Sequence, residues 1–141
     1  QFTVELSLRL LEAHFGSARN GLVPNEDKLR AAYQYLSTHA HQPNLTADSL
    51  AQALHCSRAR LYRLFENEPL SIKATLKEIR LLRARDTLVQ SGRSANVAAV
   101  AYACGFSDPS VFGKLFRQKF GATPGEVARG QTVSGSHSSP A

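Results

Sequence analysis

The stretch "VAAVAYACGFSDPSVFGKLFRQKFGATPGE", residues 97–126, carries nearly every local signal of helix start and stop in thirty residues. Asn96 stands before a short run of small apolar residues, and Asn is a favoured helix cap. Cys104-Gly105-Phe106 reads as a tight turn, in which glycine supplies backbone freedom. Asp108 then caps a second helix with Pro109 in its first position, where the missing N–H costs nothing. Within that helix Phe112, Leu115, Phe116 and Phe120 recur at helical spacing and predict a core face. Pro109, Ser110, Val111, Gly113, Lys114 and Arg117 are left facing away from it. Gly121 stops the helix, and Thr123-Pro124-Gly125-Glu126 has the form of a final capped turn.

The same layout occurs earlier. Shifted by 50 residues, Ala51-x-Ala53 falls on Ala101-x-Ala103, and Ser57 on Ser107. With one extra residue after that point, Leu61 meets Phe112, Arg63 meets Lys114, Leu64 meets Leu115 and Phe65 meets Phe116. Each copy is a short helix, a tight turn and a longer helix with basic residues, the helix-turn-helix arrangement. The motifs span about 47–67 and 97–120. Small Ala51 and Ala101 allow close helix crossing, and in the first copy Leu61, Leu64 and Phe65 turn inward. That leaves Arg58, Ala59, Arg60, Tyr62 and Arg63 outward on the helix capped by Ser57.

The rest of the chain fits around this repeat. Asn25 is expected to cap a helix with Leu29, Ala32, Tyr33 and Leu36 on one face, ending near His41 before Pro43. Thr46 caps the short helix of the first motif. Pro69 breaks the helix after it, and Ser71 begins a long helix to about Gln90, closed by Ser91-Gly92. No alternating β pattern occurs, so the predicted fold class is all-α: two helix-turn-helix (homeodomain-like) subdomains joined by a long connecting helix. Val4, Leu8, Leu11 and Phe15 form a seam on an earlier helix, followed by the linker-like "GSARNGLVPN". Residues 1–25 are therefore expected to be the end of a preceding domain plus a linker. Their helix packs either on its own core or in a dimer. Residues 26–130 form the main domain, and 131–141 a disordered polar tail.

Charge narrows the partner. Seventeen Lys and Arg against eleven Asp and Glu give a net charge of +6 in 141 residues. Residues 1–25 carry two of each sign, so the whole surplus lies beyond them. Such a balance favours an anionic partner, nucleic acid or a membrane surface. No run of 18 apolar residues is present, and residues 1–16 lack the pattern of a signal peptide. Cys56 and Cys104 are too few and too far apart for a disulfide framework or a CxxC site, and are expected to be reduced thiols. The five histidines show neither HExxH nor a Cys/His metal spacing, and no glycine-rich phosphate loop exists. Neither a cofactor nor an enzyme activity is expected.

With these residues in place, the chain resembles the C-terminal DNA-binding domain of the AraC/XylS transcriptional regulators over residues 27 to 128. Ala101, Gly105, Phe106, Phe112, Phe116, Phe120, Gly121 and Pro124 fit that family's signature, and Arg80, Leu81 and Ala84 match its connecting helix. The chain departs from the family pattern at several points. His55 stands at the small turn position, Leu70 and Lys73 stand where glycine and proline are usual, and Val127 with Arg129 replaces a closing tyrosine-arginine pair.

The resemblance implies a sequence-specific binder of double-stranded DNA with its two recognition helices in successive major grooves. It also implies transcriptional activation through RNA polymerase, control by a separate N-terminal domain that can form a homodimer, and a location in the bacterial cytoplasm, at the nucleoid when bound. Residue by residue, the base-reading positions fall on Ala59, Tyr62 and Arg63 in the first motif and on Ser110 and Lys114 in the second. Arg58 and Arg60 flank the first set. Ser57, Ser107 and Pro109 sit at the helix starts, and Arg117 and Lys119 fall at phosphate positions. The rival reading is a basic helical interaction module that meets an acidic protein or a membrane surface. A DNA-modifying enzyme using either cysteine lacks an activating base nearby in sequence.

Overall fold

The computed structural model describes residues 24–131. The expected seam through Val4, Leu8, Leu11 and Phe15, its linker and the tail beyond 131 lie outside the described residues. Seven α-helices follow in the order α1 (Pro24–His39), α2 (Ala47–Ala53), α3 (Arg58–Phe65), α4 (Ile72–Ser91), α5 (Val97–Ala103), α6 (Pro109–Phe120) and α7 (Pro124–Ala128), with a short 3-10 turn at Gly92–Ser94. Among the described residues there are no strands.

The capping residues act as their positions suggest. Side chains of Thr46, Ser57, Ser71, Asn96, Asp108 and Thr123 each accept a hydrogen bond from a backbone N–H in the first turn that follows. Thr46 and Thr123 complete reciprocal capping boxes with Ser49 and Glu126. Gly121 ends α6 in the left-handed region, at φ 76°. The first helix differs from expectation at both ends. It begins at Pro24, so Asn25 lies within its first turn and does not cap it, because proline is already set for the first helical position. It ends at His39, two residues early. The carbonyls of Ala40 and Gln42 accept hydrogen bonds from the Arg80 guanidinium, at 2.8 and 2.6 Å.

The long helix α4 organises everything else. Its buried residues Ile72, Thr75, Leu76 and Ile79 fall at helical spacing, and the three apolar ones join a core with α1, α2 and α3. From Leu81 onward the buried set is Leu81, Leu82, Ala84 and Leu88, which joins a second core with α5, α6 and α7. At 3.6 residues per turn, Leu81, Ala84 and Leu88 lie roughly 160° around the helix from the first set. One helix thus serves two cores on opposite sides. In the second core Phe106, Phe112, Phe116 and Phe120 form a chain of tilted rings with centroids 4.9, 5.5 and 4.6 Å apart. Phe112 and Phe116 are fully buried.

The two motif turns repeat in backbone detail. The residue ending the first helix has φ −92° at Leu54 and −93° at Cys104. The next residue has positive φ in both, 57° at His55 and 102° at Gly105. One residue on, Cys56 N–H donates to Ala51 O at 3.0 Å and Phe106 N–H to Ala101 O at 2.9 Å. Histidine is tolerated in the first turn at the cost of left-handed strain. In the second turn a side chain has no room, since a Cβ on Gly105 would collide with the Ala40 carbonyl and come within 2.6 Å of Arg80 Nε.

This asymmetry gives a stability test by urea denaturation. Gly105→Ala combines left-handed strain with overpacking against backbone and should cost about 2–4 kcal/mol. His55→Gly relieves strain while loosening the unfolded chain, and should leave stability within about 1 kcal/mol of the parent, on the stabilising side.

Candidate nucleic-acid interface

The second helix of each motif, α3 or α6, offers one face to its core and the other to solvent. In α3, Leu61 and Phe65 are buried, and Arg58, Ala59, Tyr62 and Arg63 are exposed at i, i+1, i+4 and i+5. In α6, Phe112, Phe116 and Phe120 are buried, and Ser110, Val111, Lys114 and Arg117 are exposed. Tyr62 and Val111 are large side chains left about half open, at 49% and 48%. Pro109 and Gly113 are half-buried. Leu64 and Leu115 are partly covered against their cores.

The caps place the extra residue of the second motif. Ser57 Oγ accepts from Arg60 N–H, whereas Asp108 Oδ1 accepts from Ser110 N–H at 2.9 Å and from Val111 N–H. Ser57 therefore corresponds to Asp108, not to Ser107 as the ungapped shift suggests. Ser107 is the inserted residue, exposed in the turn. From the caps onward the two copies keep an offset of 51.

Three of the basic side chains are already engaged within the fold. Arg60, expected to face outward, is half-buried, and its terminal amino group donates to Asn25 Oδ1 on α1 at 2.9 Å. The angle explains this: Arg60 lies two residues from Arg58 on the helix, roughly 200° around from it and on the flank that meets α1. Lys119, at an expected phosphate position, pairs with Glu78 of α4 at 2.6 Å with both side chains partly covered. Arg58 pairs with Asp48 of α2 at 3.0 Å and lies over the Tyr62 ring, 6.0 Å from its centroid. The Arg58 guanidinium is held further above its ordinary pKa, first by hydrogen bonding with Tyr62 and then by the Asp48 charge. Asn25, Asp48 and Glu78 are the site neighbours that sequence reasoning missed. Each meets a cation from another helix, and only the compositional pairing of an acid or amide with a cation hinted at them.

Lys114, Arg117 and Arg63 remain exposed on the outer faces. On α4, Arg83 is exposed and Arg85 lies over the Phe120 ring at 5.7 Å. Burial lowers the pKa of Arg80 and raises that of the Cys104 thiol. Among the described residues no cluster of three or more His, Cys, Asp or Glu side chains could hold a metal ion, and no helix is long and apolar enough to cross a membrane.

Comparison with known proteins agrees with this geometry. The profile of the helix-turn-helix domain family matches residues 50–130. The transcriptional regulator GlxA of Rhizobium meliloti is 36% identical over 115 residues, which are 81% of this chain and 35% of that protein. The transcriptional activator NphR of a Rhodococcus species is 32% identical over 120 residues, 85% of this chain and 35% of that protein. The chain thus spans about a third of the length of these curated relatives. Among solved structures, an AraC-type DNA-binding domain protein from Chromobacterium violaceum superimposes with a TM-score of 0.66 at 33% identity, covering 75% of this chain and 92% of that one. The C-terminal domain of AraT, a response regulator from Geobacillus stearothermophilus, gives 0.69 at 27% identity, covering 79% and 88%. A repeated helix-turn-helix on one long helix, matched by profile, sequence and fold alike, makes this chain a member of the AraC/XylS family of DNA-binding transcription regulators.

Proposed function

We propose that the domain binds double-stranded DNA sequence-specifically by inserting α3 and α6 into successive major grooves of one duplex face. The observation that carries this is α4. Its 20 residues rise about 30 Å, close to the ~34 Å that separates such grooves. Two motifs with matching turns at either end of that helix suit an asymmetric site with no palindrome. In this reading Ser57, Arg58, Ala59, Tyr62 and Arg63 meet the first groove, and Ser107, Pro109, Ser110, Lys114 and Arg117 the second. Arg60 serves by holding α3 against α1. Arg63 offers bidentate contact to a guanine, and Ala59 apolar contact to a thymine methyl.

We further read the whole protein as an activator that contacts RNA polymerase under the control of a preceding domain, which also supplies any homodimer contact. Two of the relatives, RhaS of Enterobacter and NphR of Rhodococcus, are named as transcriptional activators. A binding-site selection on random duplexes tests the core of the proposal. Recovery of two short motifs about ten base pairs apart is the expected result. Equal retention of random duplexes and other polyanions such as heparin would overturn it in favour of a general acidic-surface binder.

Gly113 and Val111 give α6 little hydrogen-bonding chemistry toward bases, so the first motif should carry more of the sequence preference. On a selected site, Arg63→Ala should relax base preference at one position by about 10-fold, with Lys114→Ala lowering affinity more evenly across sequences. Salt titration separates the phosphate contacts. Arg117→Ala should weaken binding to all duplexes and reduce the slope of log affinity against log salt by about 1. Lys119→Ala should leave that slope near the parent value, because its ammonium is committed to Glu78, and should show instead as a lower melting temperature.

A further inference from the structure

The first motif holds a three-residue cluster that the second lacks. Asp48 on α2 reaches across the turn to Arg58, its Oδ1 lying 3.0 Å from Arg58 Nε. One turn along α3, the Tyr62 ring sits beneath the same guanidinium. At the equivalent positions of the second motif stand Ala98, Pro109 and Gly113. All three members are replaced together, by residues that can neither pair nor stack. Side chains of Asp48 and Arg58 are each 61% exposed, and an ion pair so open to water adds little to stability. What it does supply is geometry.

An arginine side chain has five N–H donors in a planar fork. Holding Nε against a carboxylate, with a further hydrogen bond to Tyr62, restrains the rotation of that plane and still leaves N–H donors on the terminal amino groups for a partner. Such donors match O6 and N7 on the major-groove edge of guanine. The Tyr62 ring, its centroid 6.0 Å from Arg58 Cζ, adds a second restraint on the guanidinium. The Asp48 charge also cancels much of the attraction that Arg58 would otherwise have for any phosphate, so the cluster favours selection over general affinity. Arg58 is the first residue of α3, and N-terminal residues of a groove-inserted helix are those nearest the base edges.

We propose that Asp48 is a specificity-determining positioning residue, which with Tyr62 orients Arg58 to read one guanine in the major groove. This rests on the reading of α3 as a groove helix. The test uses the whole chain and the duplex recovered by selection, substituted one base pair at a time and measured by fluorescence anisotropy. The parent should prefer guanine at one position of the first half-site by about 10-fold or more, and Arg58→Ala should abolish that preference. Asp48→Ala and the near-isosteric Asp48→Asn should each reduce it severalfold at the same position, while affinity for an unrelated duplex stays level or rises as a negative charge is removed. The double variant Asp48→Ala/Arg58→Ala should be no less selective than Arg58→Ala alone.

Thermal unfolding of Asp48→Asn accompanies the binding data to show that it is folded. The proposal is overturned if both Asp48 variants keep the full preference, lose affinity equally for every duplex, or change preference at a position that Arg58→Ala leaves untouched. A parent chain with no sequence preference at all would instead remove the groove-helix reading itself. That failure is distinguishable because it appears before any substitution is made.

Discussion

Arg80 stands on α4 between Ile79, the last residue of one buried stripe, and Leu81, the first of the other. From that crossing point its guanidinium gathers the carbonyls of Ala40 and Gln42 just beyond α1, while the Gly105 backbone lies against it from the second motif. Removing the fork would leave the Ala40 carbonyl without its donor, the Gln42 carbonyl with only the Leu45 N–H at 3.3 Å, and a space beneath the turn that joins α5 to α6. Lysine would be a poor replacement, since a single ammonium cannot reproduce the planar fork. Burial of this charge is unfavourable in itself, which is the direction of its lowered pKa. The hydrogen bonds to carbonyl oxygens offset that cost and fix where the end of α1 sits. With α1 so placed, Asn25 at its other end can meet Arg60 and steady α3.

Much of the fold was legible in the sequence because its instructions are local. Each cap is written within four residues, as a Ser, Thr, Asn or Asp before a helix-forming run, and backbone donors two or three residues on complete it. The repeat was legible for the same reason, since alanines, aromatics and a turn glycine recur at nearly constant offset. What escaped the reading depends on contacts between distant parts of the chain. Arg60 and Asn25 are 35 residues apart, and Lys119 and Glu78 are 41. A helical wheel drawn for α3 or α6 alone cannot show what meets Arg60 or Lys119, because it contains neither α1 nor α4. The start of α1 lies two residues before the one that an Asn25 cap implies, and for a local reason, as Pro24 and Asn25 both suit a helix N-terminus and proline takes the first helical position.

The distribution of charge follows from the same distinction. A formal surplus of +6 suggests a broadly cationic surface, yet several of the cations are spoken for by acids, amides, rings or carbonyls within the fold. Those exposed on the outer faces of α3 and α6 form a smaller and more directed set. Generic attraction to phosphate scales with the number of cations that displace counterions, and selectivity with those whose orientation is fixed. The two motifs divide along that line, the first with an arginine paired to Asp48 and a tyrosine, the second with a glycine, a proline and exposed lysine and arginine heads.

The change of side along α4 has a consequence for how such a protein can vary. Adding one residue between Ile79 and Leu81 would advance the second lobe by only about 1.5 Å but swing it by about 100° around the axis. A duplex turns by roughly 35° per base pair, with successive grooves on one face ~34 Å apart. The length of α4 is therefore an angular setting more than a distance. Insertions there are admissible only in steps near whole helical turns, and with α3 and α6 in successive grooves, as proposed, each such step would also shift the spacing of the DNA site by about 5 Å. In that proposed mode, drift in half-site spacing is coupled, through one helix, to a lattice of permitted lengths.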